Sequence, residues 1–335
     1  MIDLHIHMDG SLEPEDMLAF AESSGVELPT YNREELRGLM SVKPECTSLV
    51  EYLQKFNLPL MAMQTEQVLH DAAYRVVGKL SRQGLCYAEI RFAPQFHRRR
   101  GLTQQQVVEA AVAGLKEGIR DFHMPAQLIL CCMRGSDNHE ENMETLRVAK
   151  KFLGKGVCCV DLAGDEAGHP NEEFEDIFRL AKEQGIPYIL HSGEAAGSEN
   201  VASAIRMGAL RIGHGIHAAQ DPAVVKKLAE TKIPLETCYT SNLNTKCINA
   251  PEKYPLKRFV EEGVVVTLAT DNMAVSNTTL QKEYLRVQQL YGFTTEQMKQ
   301  FARNAVEAAL LPEAEKAKLR KVVEMEFGWW LMETT

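Results

Sequence analysis

The sequence predicts an α/β protein folded as a single (β/α)8 TIM-type barrel, with extra helices inserted between the first two strands. Three observations lead there. Eight short apolar runs alternate with amphipathic helical patterns, the rhythm of a parallel sheet. The chain has 335 residues, 45% of them hydrophobic, a length that one such barrel often occupies. Histidines and acidic residues gather at the ends of several runs, where barrel strands present their chemistry. This much β/α alternation favours a closed parallel barrel over a doubly wound sheet.

The apolar runs lie at residues 2–7, 85–92, 127–133, 157–163, 187–191, 211–215, 233–238 and 264–271. The first begins almost at Met1 and ends on His5-Ile6-His7. The stretch from Gly10 to Gly84 breaks the rhythm and is expected to hold several helices over one end of the barrel. After the fourth run, Phe174, Ile177, Leu180 and Ala181 share one helical face, which Gly185 and Pro187 terminate. Asp221-Pro222 reads as the N-cap and first residue of another helix. Thr294 with Gln297 has the form of a capping box. No Gly/Ser linker, low-complexity tract or longer repeat divides the chain, so one domain over 1–335 is expected.

Charge and composition exclude several classes. The formal net charge of −9 repels a phosphate backbone, so no nucleic-acid partner is expected. The one basic cluster, Arg98-Arg99-Arg100, reads as a solvated loop. No apolar run is long enough to span a bilayer, and no secretory leader pattern precedes the first strand. A cytoplasmic protein without a membrane partner is the expectation. The eight cysteines include the neighbours Cys131-Cys132 and Cys158-Cys159 but no C-x-x-C. Neighbours on a strand point to opposite faces, which suits core packing better than bridging.

The chemistry lies in where the polar residues fall. His5 and His7 end the first run, His191 ends the fifth, His214 lies near the end of the sixth, and Asp271 closes the eighth. Barrel strand ends converge, so imidazoles and a carboxylate would meet at the axis. Nitrogen and oxygen donors of this kind suit a catalytic zinc. Singly, each piece is weak: a core histidine or a helix-capping aspartate is the commoner meaning. Jointly they are specific. Glu194 follows His191 in His-Ser-Gly-Glu, where the glycine permits a tight turn back toward the axis. A helix dipole also favours glutamate there, so the neighbouring histidine is what gives Glu194 a proton-shuttling role.

Seven motifs then appear in order: Asp3-Leu-His-Ile-His-Met-Asp-Gly-Ser11, Tyr87-Ala-Glu-Ile-Arg-Phe-Ala-Pro94, Asp161-Leu-Ala-Gly-Asp-Glu166, His191-Ser-Gly-Glu194, Arg211-Ile-Gly-His-Gly215, Thr240-Ser-Asn-Leu243 and Thr270-Asp-Asn-Met-Ala-Val-Ser276. In identity, order and separation the set resembles adenosine deaminases across nearly the whole chain. The resemblance implies one zinc ion per chain held by His5, His7, His191 and Asp271. It makes Glu194 the donor that protonates purine N1 as C6 is attacked, and His214 the group that orients the attacking water. It gives Gly164 a backbone contact to N3, His7 and Asp9 contacts to the ribose, and Asn272 the contact to N7. The family's common pattern has aspartate where this chain has Asn272. An amide donates to N7 as it stands, whereas a carboxyl must first be protonated.

The implied reaction is hydrolytic deamination of adenosine and 2′-deoxyadenosine, with a purine nucleoside as the small-molecule partner. Adenine or a 5′-modified adenosine is the alternative within the same chemistry. A binuclear metallohydrolase is disfavoured because neither 127–133 nor 157–163 contains a lysine to bridge two metals. A catalytically dead binding protein is disfavoured by the intact set of ligands with Glu194 and His214. The other zinc deaminase pattern, H-x-E with P-C-x-x-C, is absent.

Overall fold

The computed structural model describes residues 1–43, 46 and 49–332. Residues 44, 45, 47, 48 and 333–335 of the expected domain lie outside the described ones. The strands are β1 (Ile2–His7), β2 (Tyr87–Phe92), β3 (Ala126–Met133), β4 (Val157–Ala163), β5 (Tyr188–Ser192), β6 (Ile212–His214), β7 (Leu235–Thr237) and β8 (Val266–Leu268). They form one sheet in sequence order, with every neighbouring pair parallel. The sheet closes where Ile6 bridges Asp271: the His7 N–H donates to the Asp271 carbonyl and the Asp271 N–H to the His5 carbonyl, both at 2.8 Å. The expected (β/α)8 barrel is therefore the observed one.

Helices separate the strands. Between β1 and β2 lie α1 (Pro14–Ser24), α2 (Arg33–Met40), α3 (Leu49–Gln54), α4 (Asn57–Ala62) and α5 (Glu66–Arg82). The next crossovers carry α6 (Gln104–Phe122), α7 (His139–Phe152), α8 (Glu175–Glu183), α9 (Ser198–Met207) and α10 (Pro222–Thr231). Then α11 (Tyr239–Asn244) and α12 (Leu256–Glu261) precede β8, and α13 (Leu280–Tyr291), α14 (Thr295–Ala308) and α15 (Glu313–Met332) follow it. Asp221 caps α10 by accepting from the Ala223 N–H at 2.8 Å, and Thr294 and Gln297 form the expected reciprocal box on α14. Phe174, at the N-cap of α8, and Ile177 and Ala181 on it are buried, with Phe178 beside them. Gly114 lets α6 approach α5 closely, since a Cβ there would lie 1.9 Å from the His70 carbonyl oxygen.

Several strands are shorter than their apolar runs, for local reasons. Leu85 still closes α5, its N–H donating to the Leu80 carbonyl. Cys238 is already the N-cap of α11. Past Leu268 the chain bends to aim Asp271, which has φ 64°. In β2 the pleat alternates, so Glu89 and Arg91 point into the barrel while Ala88, Ile90 and Phe92 face the helices. Asp161, Arg211 and Glu236 join them there, all at most 1% exposed, so the interior holds a charge network inside an apolar jacket. Cys131, Cys132, Cys158 and Cys159 are buried with free thiols, as core packing requires. Arg99 and Arg100 are exposed, and Arg98 pairs with Glu144 at 3.3 Å. No helix among the described residues is long and apolar enough to cross a membrane.

Candidate active site

Three imidazoles meet at the C-terminal mouth of the barrel. The His5 and His191 rings are 4.6 Å apart, and His7 lies 5.5 Å from each. One ligating nitrogen from each falls within 4.8 Å of the others. Asp271 Oδ1 sits 3.5 Å from His5 Nε2 and 3.3 Å from His7 Nε2. Burial pushes the His5 and His7 rings below the usual imidazole value, favouring the neutral form that ligates metals. Burial alone would raise the Asp271 carboxyl, but the His5 and His7 rings outweigh it and hold the group well below its ordinary range. His5 Nε2 is buried with no hydrogen-bond partner in the protein. An orphaned imidazole nitrogen facing two further imidazoles and a carboxylate is a donor set that fits zinc.

A second layer fixes these ligands. Glu236 Oε2 lies 2.8 Å from His5 Nδ1, and Asp161 Oδ2 lies 2.9 Å from His191 Nδ1. The hydrogen bond at His5 Nδ1 turns that ring's Nε2 toward the cluster, while His191 Nδ1 meets Asp161 as an ion-pair contact without hydrogen-bond geometry. Arg91 ties the two carboxylates together, donating to Asp161 at 2.7 Å and to Glu236 at 2.8 Å. Arg211 donates to Glu236 at 2.5 Å and also pairs with Glu89. Ser241 donates to Asp271 Oδ2 at 2.5 Å, and Arg134 donates to the His191 carbonyl at 2.5 Å.

Beside the cluster, with the His214 ring 4.9 Å from that of His5, Glu194 Oε2 lies 3.4 Å from His214 Nε2. Burial raises the Glu194 carboxyl; His214 opposes that rise, while Asp271 and Glu166 add to it. His214 Nδ1 is held by the Asn242 side chain at 3.0 Å. His214 adopts φ 61°, a left-handed conformation that a β-carbon makes costly and that recurs at functional sites.

A cavity of about 460 Å³ opens over these groups. Eight of the nine residues expected at the site line it: His7, Asp9, Gly164, His191, Glu194, His214, Asp271 and Asn272. The ninth, His5, lies fully buried beneath. Tyr52, Leu53, Phe56 and Leu60 from the inserted segment supply an apolar wall with Phe96 and Met133. No lysine or arginine lines the cavity among the described residues, whereas Asp9, Asp165, Glu166, Glu194 and Asp271 do. Burial raises the Asp9 carboxyl to about 6. Gly164 has φ 107°, a conformation reserved for glycine. A larger groove of about 780 Å³ beside Tyr31, Leu39 and Met61 contains none of these groups.

The structure thus brings every expected site residue together. Sequence reasoning gave no role to Glu236, Asp161, Arg91, Arg134, Glu166 or Ser241. Glu236 carried a usable signal, a carboxylate inside the apolar run 233–238, the same feature that marked Asp271. The rest act through contacts between residues distant in sequence, which no local pattern reports.

Comparison with known proteins agrees with this geometry. A family profile described as "Adenosine deaminase" matches residues 1–326. An adenosine deaminase of Haemophilus ducreyi is 42% identical over 331 residues, 98% of this chain and 96% of that protein. An adenosine deaminase of Clostridium botulinum is 39% identical over 324 residues, 96% of this chain and 98% of that protein. Among solved structures, an adenine deaminase from Arthrobacter aurescens superposes with a TM-score of 0.86 at 27% identity, covering 96% of this chain and 97% of its own. The match of profile, relatives and fold along nearly the whole length shows that this chain belongs to the adenosine deaminase family.

Proposed function

We propose that this chain hydrolyses adenosine and 2′-deoxyadenosine to inosine and 2′-deoxyinosine, releasing ammonia. The observation that carries the proposal is the convergence of His5, His7, His191 and Asp271 with the Glu194–His214 pair under one largely apolar cavity. The first four would hold one zinc ion per chain. Zinc supplies a Lewis acid that lowers the pKa of water and so provides a nucleophile near neutral pH.

The chain's own groups do the rest. Glu194, whose carboxyl burial raises above its ordinary value, donates a proton to purine N1 so that the ring accepts electrons as C6 is attacked. His214, fixed by Asn242, orients the attacking water and stabilises the charge that develops. The exposed backbone of Gly164 offers its N–H to N3, and the Asn272 amide donates to N7. His7 and Asp9 meet the ribose. A cavity lined by carboxylates and, among the described residues, by no lysine or arginine favours an unphosphorylated nucleoside.

Adenine is the second reading, motivated by the similarity to the Arthrobacter enzyme. The sugar-side groups His7 and Asp9 and the inserted apolar wall weigh toward the nucleoside. Ammonia release from adenosine, 2′-deoxyadenosine, 5′-deoxyadenosine, adenine and adenosine monophosphate decides between them. The two nucleosides should have the highest kcat/KM and the monophosphate the lowest. Adenine outpacing adenosine would overturn the substrate assignment, and equal efficiency on adenosine and its monophosphate would rule out the Asp9 contact.

A further inference from the structure

Glu166 sits 3% exposed after the end of β4, two residues beyond Gly164. Its Oε2 accepts from the backbone N–H groups of Glu194 at 2.9 Å, Ala195 at 2.7 Å and Ala196 at 3.2 Å. Its Oε1 accepts from the Gly193 N–H and from Asn200 Nδ2, the latter at 2.5 Å. Four consecutive backbone donors and one side-chain donor therefore converge on a single carboxylate. An ionised carboxylate has roughly four lone-pair sites, so Glu166 is saturated and has nothing left to offer a substrate, although it borders the cavity.

The turn makes this arrangement necessary. Gly193 has φ 74°, which folds the chain so that successive N–H groups point inward, the concave donor array that elsewhere captures an anion. Here an anion from the same chain fills it. The turn carries Glu194 at its second position, so whatever fixes residues 193–196 fixes where the Glu194 carboxyl points. Asn200, at the start of α9, extends the clamp by also accepting from the Asn171 N–H at 3.0 Å.

We infer that Glu166 is a positioning residue for the deamination step: its carboxylate locks the 193–196 turn and so holds Glu194 in reach of the purine ring. The inference rests on the reading of Glu194 as the proton donor. It also joins two parts of the site mechanically, because the segment that presents Gly164 to the base ends in the side chain that holds the acid's turn.

Glu166→Gln is the direct probe. An amide has one acceptor oxygen, and its NH2 would face N–H donors, leaving one end of the array unpaired. Turnover of adenosine is measured for metal-loaded Glu166→Gln, Glu194→Gln and the double variant, with zinc per chain. Misplacing a reacting group by about 1 Å can cost about 100-fold in rate. Glu166→Gln should therefore lose up to about 100-fold in kcat, with KM and zinc content nearly unchanged. In the Glu194→Gln background it should have little further effect, since the group it positions is gone. Normal kcat per folded, metal-loaded chain in Glu166→Gln, beside a crippled Glu194→Gln, overturns the clamp alone. So do losses that multiply in the double variant. Normal turnover in Glu194→Gln overturns the proton-donor reading and with it the route by which Glu166 acts. Hydrogen exchange on the unaltered protein gives a check that no misfolding can spoil. The amides of 193–196 should exchange as slowly as those of β5, and fast exchange there overturns the clamp.

Discussion

Asp271 and His214 hold left-handed backbones, each at a cost of about 1–3 kcal/mol for a residue with a β-carbon. Their surroundings impose these shapes: Asp271 is pinned by the barrel seam and by Ser241, and His214 by Asn242. At this scale the sequence was most informative. His5, His7, His191 and Asp271 announce themselves by position at strand ends, whereas Arg91 and Arg134 matter only through partners far along the chain. Glu194→Gln should keep its metal and lose at least about 100-fold in turnover, the scale of general acid–base catalysis; a normal kcat contradicts the assigned role. Asn272→Ala should cost about 1–3 kcal/mol in kcat/KM with adenosine by leaving N7 unpaired. It should cost far less with the analogue bearing carbon at position 7, and equal losses would sink the N7 contact. Glu166 has a pH signature. Burial alone would raise its carboxyl, but Asn200 and the backbone N–H groups outweigh that and hold it below the usual 4.5. Its contribution to folding is therefore full above 4.5 and fades as pH falls through the lowered value. The melting-temperature gap between the parent and Glu166→Gln should be widest near neutral pH and shrink in acid; a gap independent of pH contradicts the charged clamp.

The elements place these residues through a few close contacts. The short helical turn Asp9–Ser11 packs against the 272–276 segment, with the Ala274 N–H donating to the Gly10 carbonyl at 2.9 Å. A Cβ on Gly10 would lie 2.0 Å from Asn272 Oδ1. Gly10→Ala should therefore push Asn272 off the purine edge. Overpacking of this sort costs about 1–3 kcal/mol, and here it should appear mainly as reduced kcat/KM for adenosine. Unchanged kinetics would show that Asn272 does not depend on this contact. Strand order, most strand positions and the N-caps at Asp221 and Thr294 were readable from periodicity and cap chemistry. Strand ends were not, because β7 and β8 stop where α11 begins and where the seam aims Asp271, events set by tertiary contacts. The inserted segment was legible as helices over one end of the barrel, but which of its residues line the cavity was not, since nothing local states which side chains face the site.

Across the whole molecule, alternating charges run from Glu89 through Arg211, Glu236 and Arg91 to Asp161, all buried, and reach two of the proposed metal ligands. Removing one member leaves its partners charged in a low-dielectric interior. Arg91→Met should thus lower stability by about 3–5 kcal/mol, read by denaturant unfolding; a loss below about 1 kcal/mol, the worth of an exposed pair, contradicts the network's importance. The proposed ligands come from β1, β5 and the β8 seam, so metal stitches distant parts of the sheet and should raise the melting temperature. The barrel itself was legible because β/α alternation is a whole-chain rhythm, whereas the network was hidden because its five members are spread over four separate runs. Deamination of adenosine by this family member should depend on a metal held at the barrel mouth. The most direct measurement is ammonia release from adenosine by one preparation as purified, after chelation, and after zinc is restored. Activity that disappears on chelation and returns with zinc is the predicted result. Ammonia release that survives complete removal of metal, or none from the zinc-loaded protein, would contradict it.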